Sequence, residues 1–305
     1  VRRYRWDVAS APRQDRAPSV SRISQTLLLL GVVGLSAFHV KADDPDTVAE
    51  SSTDRSTGLE PLGTTLPLHM NERVEKWIHR FRTDQRPTFE RLLERQGVYA
   101  DMIREKLRDR QMPEELLYLA MMESGLSPWA VSRASAVGVW QFMGPTAQQY
   151  GLRVDPWVDE RRDPVRATDA ALDYLAYLRN RFGSWYLAAA AYNAGPGRVE
   201  RVLRRHAEGR TGAEEIYWEV LDHLPLETRE YVPRLVAATH LAENADVYGF
   251  HVDLEEAYAY DRVFVPGGTS LVRVARSVEA DPRLLRNLNP HLTRGVTPPG
   301  ELYPV

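Results

Sequence analysis

The chain contains no cysteine. That absence excludes a disulfide framework, a thiol nucleophile, cysteine-ligated zinc or iron–sulfur centres, and any lipid anchor attached through sulfur. Lysine is almost missing too: Lys41, Lys76 and Lys106 stand among 39 basic residues, the rest arginine, which reads as coding bias rather than chemistry. There is no basic excess. The formal net charge is −3, which argues against a nucleic-acid-binding protein. Long apolar runs are confined to Thr26–Val40, strand-like patterning does not begin before Val263-Phe264-Val265, and no internal repeat is visible. What is present is an ordinary globular composition, 43% hydrophobic and 27% charged over 305 residues. That rules out a disordered chain, a collagen and a multi-span membrane protein. The length suits two domains of roughly 100–200 residues each.

Residues 1–22 carry six arginines, the apolar run follows, and Lys41-Ala42 precede Asp43-Asp44. A basic stretch, an apolar core and a small residue before an acidic start read as a secretory signal over residues 1–42. The fifteen apolar-run residues fall short of the about 20 that a spanning helix needs. An uncleaved N-terminal anchor, tethering the protein to the membrane, is the alternative. Either reading sends the remainder out of the cytoplasm, to the periplasm or cell envelope. Beyond position 42 there are 32 basic and 40 acidic residues, a net of −8, which suits neither nucleic acid nor anionic lipid. Residues 43–66 are polar, rich in Ser, Thr, Asp and Gly, and aperiodic: a linker.

From 71 to about 248 the pattern is helical almost throughout, with a first helical segment over 67–112. Val74, Trp77, Ile78 and Phe81 recur at helical spacing, as do Leu92, Leu93, Tyr99, Met102, Ile103 and Leu107. A further helix is expected from Pro113, a good first-turn residue followed by Glu114 and Glu115. Later helices are expected at about 145–150, 165–182, 185–192, 197–206, 212–222 and 228–246.

One residue breaks its local rule. Leu116, Leu119, Ala120 and Glu123 lie at i, i+3, i+4 and i+7, so a carboxylate ends a stripe that should be buried. A buried, unpaired carboxylate tends to raise its pKa and keep its proton, the property a general acid needs. A glutamate turning out to solvent before Gly125 and Pro128 fits the helix equally well. The segments downstream favour chemistry. Gln141 sits in the apolar sextet Gly138-Val139-Trp140-Gln141-Phe142-Met143, where a buried amide demands a partner. Ala188–Ala191, four small residues that let helices approach, lead into Tyr192-Asn193-Ala194-Gly195. An acid, amides and phenols together suit an amide-decorated sugar.

Glu123-Ser124, Ala130-Val131-Ser132, Gly138–Met143, Thr146-Ala147 and Ala190–Gly195 resemble the catalytic domain of the soluble lytic transglycosylases. Asp163-Pro164, Phe182-Gly183, Trp185-Tyr186-Leu187 and Leu224–Pro233 are similar to the membrane-bound murein transglycosylase D branch. Gly144-Pro145 departs from the family, many members of which place proline directly after the position of Met143. The resemblance covers about residues 110–245 and implies a mainly α fold, with a lysozyme-like catalytic domain over 113–248. It implies a carbon–oxygen lyase that cuts the β-1,4 bond between N-acetylmuramic acid and N-acetylglucosamine in peptidoglycan strands and leaves a 1,6-anhydro end. By the same resemblance, Glu123 acts first as general acid and then as base. Ser132 and Gln141 bond the substrate near the scissile sugar, and Met143 lines the cleft. Tyr192 and Asn193 orient the acetamide or glycosidic region, and Tyr231 helps Glu123 hold its proton. For Met143, core packing is the plain alternative.

Ordinary glycosidases use two carboxylates. Here no Asp or Glu lies between Ser124 and Tyr150, and Asp155, Asp159, Glu160 and Asp163, set among prolines and arginines, read as a salt-bridged loop. No cofactor or metal is expected: the eight histidines include no close pair at ligand spacing. Two other functions fit the scaffold, a hydrolase like goose-type lysozymes and a non-catalytic peptidoglycan-binding protein.

Residues 261–305 change character. Val263–Val265 reads as a strand, Pro266–Thr269 as a turn, Leu271, Val274 and Ala275 as one short helix, and Leu284, Leu285 and Leu288 as a second. This strand–helix–helix–strand order resembles a LysM module, which implies binding to N-acetylglucosamine chains, with a structural cap on the helical domain as the alternative. A glycine stands where such modules carry an acid before Thr269, and the chain ends where the last strand would begin to pair.

Overall fold

The computed structural model describes residues 65–305. The signal at 1–42 and the linker at 43–66, save its last two residues, lie outside them. Among the described residues no helix is long and apolar enough to cross a membrane.

The fold is mainly α, as the periodicity predicts. Helix α1 (Glu72–Arg82) starts at Asn71, whose side chain accepts from the amides of Arg73 and Val74, and it buries the expected stripe of Val74, Trp77, Ile78 and Phe81. Helix α2 (Arg86–Asp109) turns Phe89, Leu93, Ile103 and Leu107 inward. The helix expected from Pro113 opens differently. Pro113 stays extended at ψ 126°, a tight 3-10 turn spans Glu114–Leu116, and α3 (Leu117–Ser124) follows. Residues Leu116–Met121 are all buried, so α3 lies in the interior rather than at its edge. Gly125 ends it in the left-handed region at φ 62°, and a Cβ there would come within 2.8 Å of Leu92 Cδ2.

Beyond the loop that carries short bridges between Val131, Val137 and Phe142, α4 (Gly144–Gln149) and α5 (Pro164–Phe182) follow. Asp163 caps α5 by accepting from the amides of Val165 and Arg166, with Pro164 in the first turn. Helix α6 (Trp185–Ala194) buries all of Ala188–Ala191, and their small side chains let it pack between α5 and α9. Helices α7 (Pro196–His206) and α8 (Glu215–Val220) lead to α9 (Leu226–Glu243), which lies along α1, α6 and α3.

Helix α9 contains a proline in its interior, Pro233. Proline has no N–H, so the carbonyl of Arg229, four residues earlier, loses its helical donor. A phenol from the preceding helix replaces it: Tyr217 donates to the carbonyl oxygens of Arg229 at 3.2 Å and of Thr228 at 3.1 Å. The orphaned carbonyl is therefore satisfied, two residues from Tyr231.

The C-terminal elements occur in the expected order: β1 (Phe264–Val265), α10 (Leu271–Ser277), α11 (Pro282–Leu288) and β2 (Tyr303–Pro304). The last strand does pair. It runs antiparallel to β1 with Phe264 opposite Pro304 and Val265 opposite Tyr303, in two residues too few to show as a sequence pattern. Its small core of Leu271, Leu292, Tyr303 and Val305 also takes in Val158 from the helical part. The connecting segment is docked along α2, where the Glu255 amide donates to the Glu94 carbonyl and that of Tyr258 to Val98.

Candidate active site

Glu123 occupies the last turn but one residue of α3, at the rim of the buried stripe that ends there, and is half-buried. Its Oε1 accepts a 2.5 Å hydrogen bond from the phenol of Tyr231, which is 108 residues away on α9 and buried. Its Oε2 receives no hydrogen bond from another described residue. Desolvation pushes the Glu123 carboxyl above its ordinary value of 4.5, against the Tyr231 hydrogen bond and the charge of Arg234, and with the charge of Glu227. The phenols of Tyr231 and Tyr192 are held well above 10, first by burial and next by the charge of Glu123. Three titratable groups thus share one poorly hydrated space. The charge of Glu123 disfavours ionisation of both phenols, whereas the Tyr231 hydrogen bond favours the charged form of Glu123. Burial, and not this phenol as the resemblance implies, therefore keeps the proton on the acid.

The loop after α3 is fixed to the same place. Ser124 donates to the Val139 carbonyl at 2.7 Å and accepts from the Ser127 amide, so the end of the helix and the Gly138–Met143 segment are stapled together. Tyr192 donates to the Trp140 carbonyl at 2.7 Å, and Trp140 Nε1 donates to Thr168 on α5 at 2.9 Å. Gly138 lies at φ 85°, and a Cβ there would fall 1.7 Å from the carbonyl oxygen of Arg161. Only glycine allows that approach.

The candidates from sequence fall into two groups. Glu123, Tyr231 and Tyr192 are electrostatically joined, while Asn193 accepts from Thr228 Oγ1 at 2.8 Å and donates to Glu227 at 3.4 Å, bridging α6 to the first turn of α9. Gln141 is half-buried, sits in the left-handed region at φ 50°, and spends its amide N–H groups on the carbonyls of Gly138 and Ala130. Its Oε1 is left as acceptor. A non-glycine residue held in that conformation is an uncommon arrangement that clusters at functional sites. Ser132 closes a local turn by accepting from the Ala136 amide at 3.0 Å and keeps its own O–H to donate. Neither Ser132 nor Gln141 bonds Glu123 directly. Met143 is 44% exposed, which excludes the core-packing alternative for it.

The loop carboxylates are paired as expected. Asp155 bonds Arg153 and the amides of Trp157 and Val158; Asp159 meets Arg161 at 2.8 Å; Glu160 meets Arg166 at 3.2 Å. Arg161 goes further, donating to the carbonyls of Ser135 and Phe142 and so bracing the Gln141 loop. Sequence reading passed over that role, and also Glu227, Arg234 and the exposed Trp129. Arg234 had a signal, three residues after Tyr231 on one helix face, and its guanidinium stands 5.8 Å from the Tyr231 ring. Glu227 had none, because Asn193 meets it only once α6 and α9 are packed.

Residues 101–213 match the sequence profile described as the Transglycosylase SLT domain. Over 179 residues the chain is 35% identical to membrane-bound lytic murein transglycosylase D of Escherichia coli (strain K12), covering 58% of this chain and 39% of that protein. It is 34% identical over 120 residues to membrane-bound lytic murein transglycosylase C of Edwardsiella ictaluri, covering 34% of this chain and 33% of the relative. The chain thus spans well under half the length of these relatives. Among solved structures, the 70 kDa soluble lytic transglycosylase of Escherichia coli aligns over 48% of this chain and 24% of its own, at 26% identity and a TM-score of 0.42.

Proposed function

We propose, for a chain that carries a transglycosylase SLT domain of the murein transglycosylase D type, that it is an enzyme cleaving the β-1,4 bond between N-acetylmuramic acid and N-acetylglucosamine in peptidoglycan. The observation that supports this best is the Glu123–Tyr231 pair. One carboxylate oxygen is held by a buried phenol at 2.5 Å, the other receives no hydrogen bond among the described residues, and burial favours the protonated form.

The geometry suits two proton transfers at one group. Protonated Glu123 gives its proton from Oε2 to the glycosidic oxygen, and the bond to the anomeric carbon of the muramic acid breaks. The acetamide oxygen of the same sugar stabilises the cation formed. The carboxylate left behind, still bonded to Tyr231, then takes the proton of the C6 hydroxyl as that oxygen closes on the anomeric carbon. Glu123 ends as it began, protonated, and no water is consumed. A second carboxylate would be needed for an ordinary glycosidase. The loop carboxylates at 155–163 are committed to arginines and amides, and Glu227 is exposed and held to Asn193.

In this reading the Oε1 of Gln141 accepts from a substrate acetamide N–H, Ser132 donates to a sugar oxygen, and Met143 offers an apolar wall. Asn193 and Tyr192 fix the far side, the phenol through its bond to the Trp140 carbonyl. Residues 1–42 direct export to the periplasm or cell envelope, by a cleaved signal or a retained tether, and the C-terminal unit is a LysM-like glycan-binding module.

Mass spectrometry of purified murein after digestion tests the reading. Fragments lighter by one water than reducing muropeptides, produced by the wild type and not by Glu123→Gln, are expected. Reducing ends instead would make the protein a hydrolase. Retained murein binding with no cleavage by either form would make it a binding protein.

A further inference from the structure

Helix α7 follows the Tyr192–Asn193 end of α6 after a single glycine, Gly195, and carries Arg198, Arg201 and Arg205 along one face. Its other face, Val199 and Leu203, is buried. The three arginines, with His206, line a cavity of about 350 Å³ whose opposite wall is His223, Leu224 and Pro225. Both walls spring from one junction. Asn193 lies three residues before α7, and Glu227, which it contacts, lies two residues after Pro225.

The charges in this cavity are unanswered. The guanidinium groups of Arg198, Arg201 and Arg205 form no ion pair or hydrogen bond with another described residue. Two nearby arginines are paired, Arg181 with Glu200 and Arg210 with Glu219, while Arg204, exposed on the same helix outside the cavity, has no such partner among the described residues. The nearest acid in sequence to the far wall, Asp222, is turned to Arg73 and Arg229. The imidazoles of His206 and His223 stack face to face, with centroids 3.6 Å apart and planes 6° apart, and each ring carries an N–H donor. Such a basic hollow, in a chain that carries net −8 beyond residue 42, is out of keeping with its surroundings. Planar guanidinium forks match carboxylates in two-point fashion. A cavity of this size takes a ligand of a few residues.

We infer that this cavity is a subsite for the carboxylates of the peptide stems that branch from the glycan, placed beside the point where the glycan is cut. The inference rests on the glycan-cleaving reading for its choice of ligand. Stem recognition at this place would couple side-chain chemistry of the murein to positioning of the scissile bond.

The test is a titration of the whole protein with a soluble stem peptide bearing free carboxylates, and with its amidated form, followed by NMR of the histidine ring protons. The acidic peptide should shift His206 and His223, and the amidated one should not. In the triple variant Arg198→Ala, Arg201→Ala, Arg205→Ala affinity should fall about tenfold, the sum of three partly exposed charge pairs. Arg204→Ala, an equal loss per site of exposed positive charge on the same helix, should bind as the wild type does. Equal affinity for the two peptides, or for wild type and triple variant, overturns the inference. So does binding of phosphatidylglycerol vesicles that is lost in the triple variant when no peptide binds, since the cavity would then serve a phosphate headgroup. The titration needs no turnover. An inert protein that binds the acidic peptide refutes the catalytic reading alone, whereas an active one that ignores it refutes the subsite alone.

Discussion

Two sets of carboxylates in this molecule have opposite environments. Those at 155–163 meet arginines and backbone amides, whereas Glu123 meets a buried phenol and no cation within bonding distance among the described residues. Partial burial works against Asp155, yet the Arg153 fork and two amides hold it below its ordinary 3.8. Burial of Glu123 outweighs everything that opposes it, and the group moves up from 4.5. The same functional group is a structural tie in one place and, in the proposed reaction, a proton donor in the other. Pairing decides which. A cation in contact removes the reason to hold a proton, and a dry cavity supplies one.

Breaking the comparison at its most reactive point should have the largest effect. Glu123→Gln keeps the shape and the Tyr231 contact but has no proton to give, and release of anhydro ends should fall by roughly 10²–10⁴-fold. Next is the structural side. Asp159→Ala strands Arg161, whose partner is as buried as itself, and should cost about 3 kcal/mol in denaturant unfolding. Because Arg161 also braces the Gln141 loop, some loss of turnover should accompany the loss of stability.

Tyr231→Phe sharpens the contrast instead of abolishing it. The phenol favours the charged form of Glu123, so its removal should move the alkaline limb of the pH–activity profile upward while turnover drops about tenfold. The smallest effect is on stability against pH, and the two sets should differ in sign. Glu123 binds its proton more tightly in the folded chain, so its contribution is present below the unfolded value of 4.5. It is lost as pH rises through the higher folded value. Asp155, held low, contributes above 3.8 and loses that as pH falls. Glu123→Gln should therefore melt higher than wild type near neutral pH, with the gap closing in acid. Asp155→Asn should melt lower near neutral pH, again with the gap closing in acid. Scanning calorimetry over a pH series reads both.

Much of this was legible in the chain. The apolar stripes gave the helices, because burial on one face leaves a periodic trace. Glu123 stood out because it ended such a stripe. The clustering of Asp155, Asp159, Glu160 and Asp163 with arginines gave the salt-bridged loop, because each partner lies within a few residues. What escaped depends on packing between distant elements. The Asn193–Glu227 contact spans 34 residues, and the support of the Gln141 loop by Arg161 requires Gly138 to approach a carbonyl closely. The pairing of the last strand escaped too, because two residues at 303 are too few for alternation to register. The arginines of α7 carry no signal in the sequence, because the wall opposite them comes from residues 223–225.

Pro233 ties α9 to its neighbour, since the oxygen it orphans is claimed by Tyr217 of α8. The helix that presents Tyr231 is accordingly steered by its neighbour. The tie from α8 thus ends two residues short of the phenol that bonds Glu123.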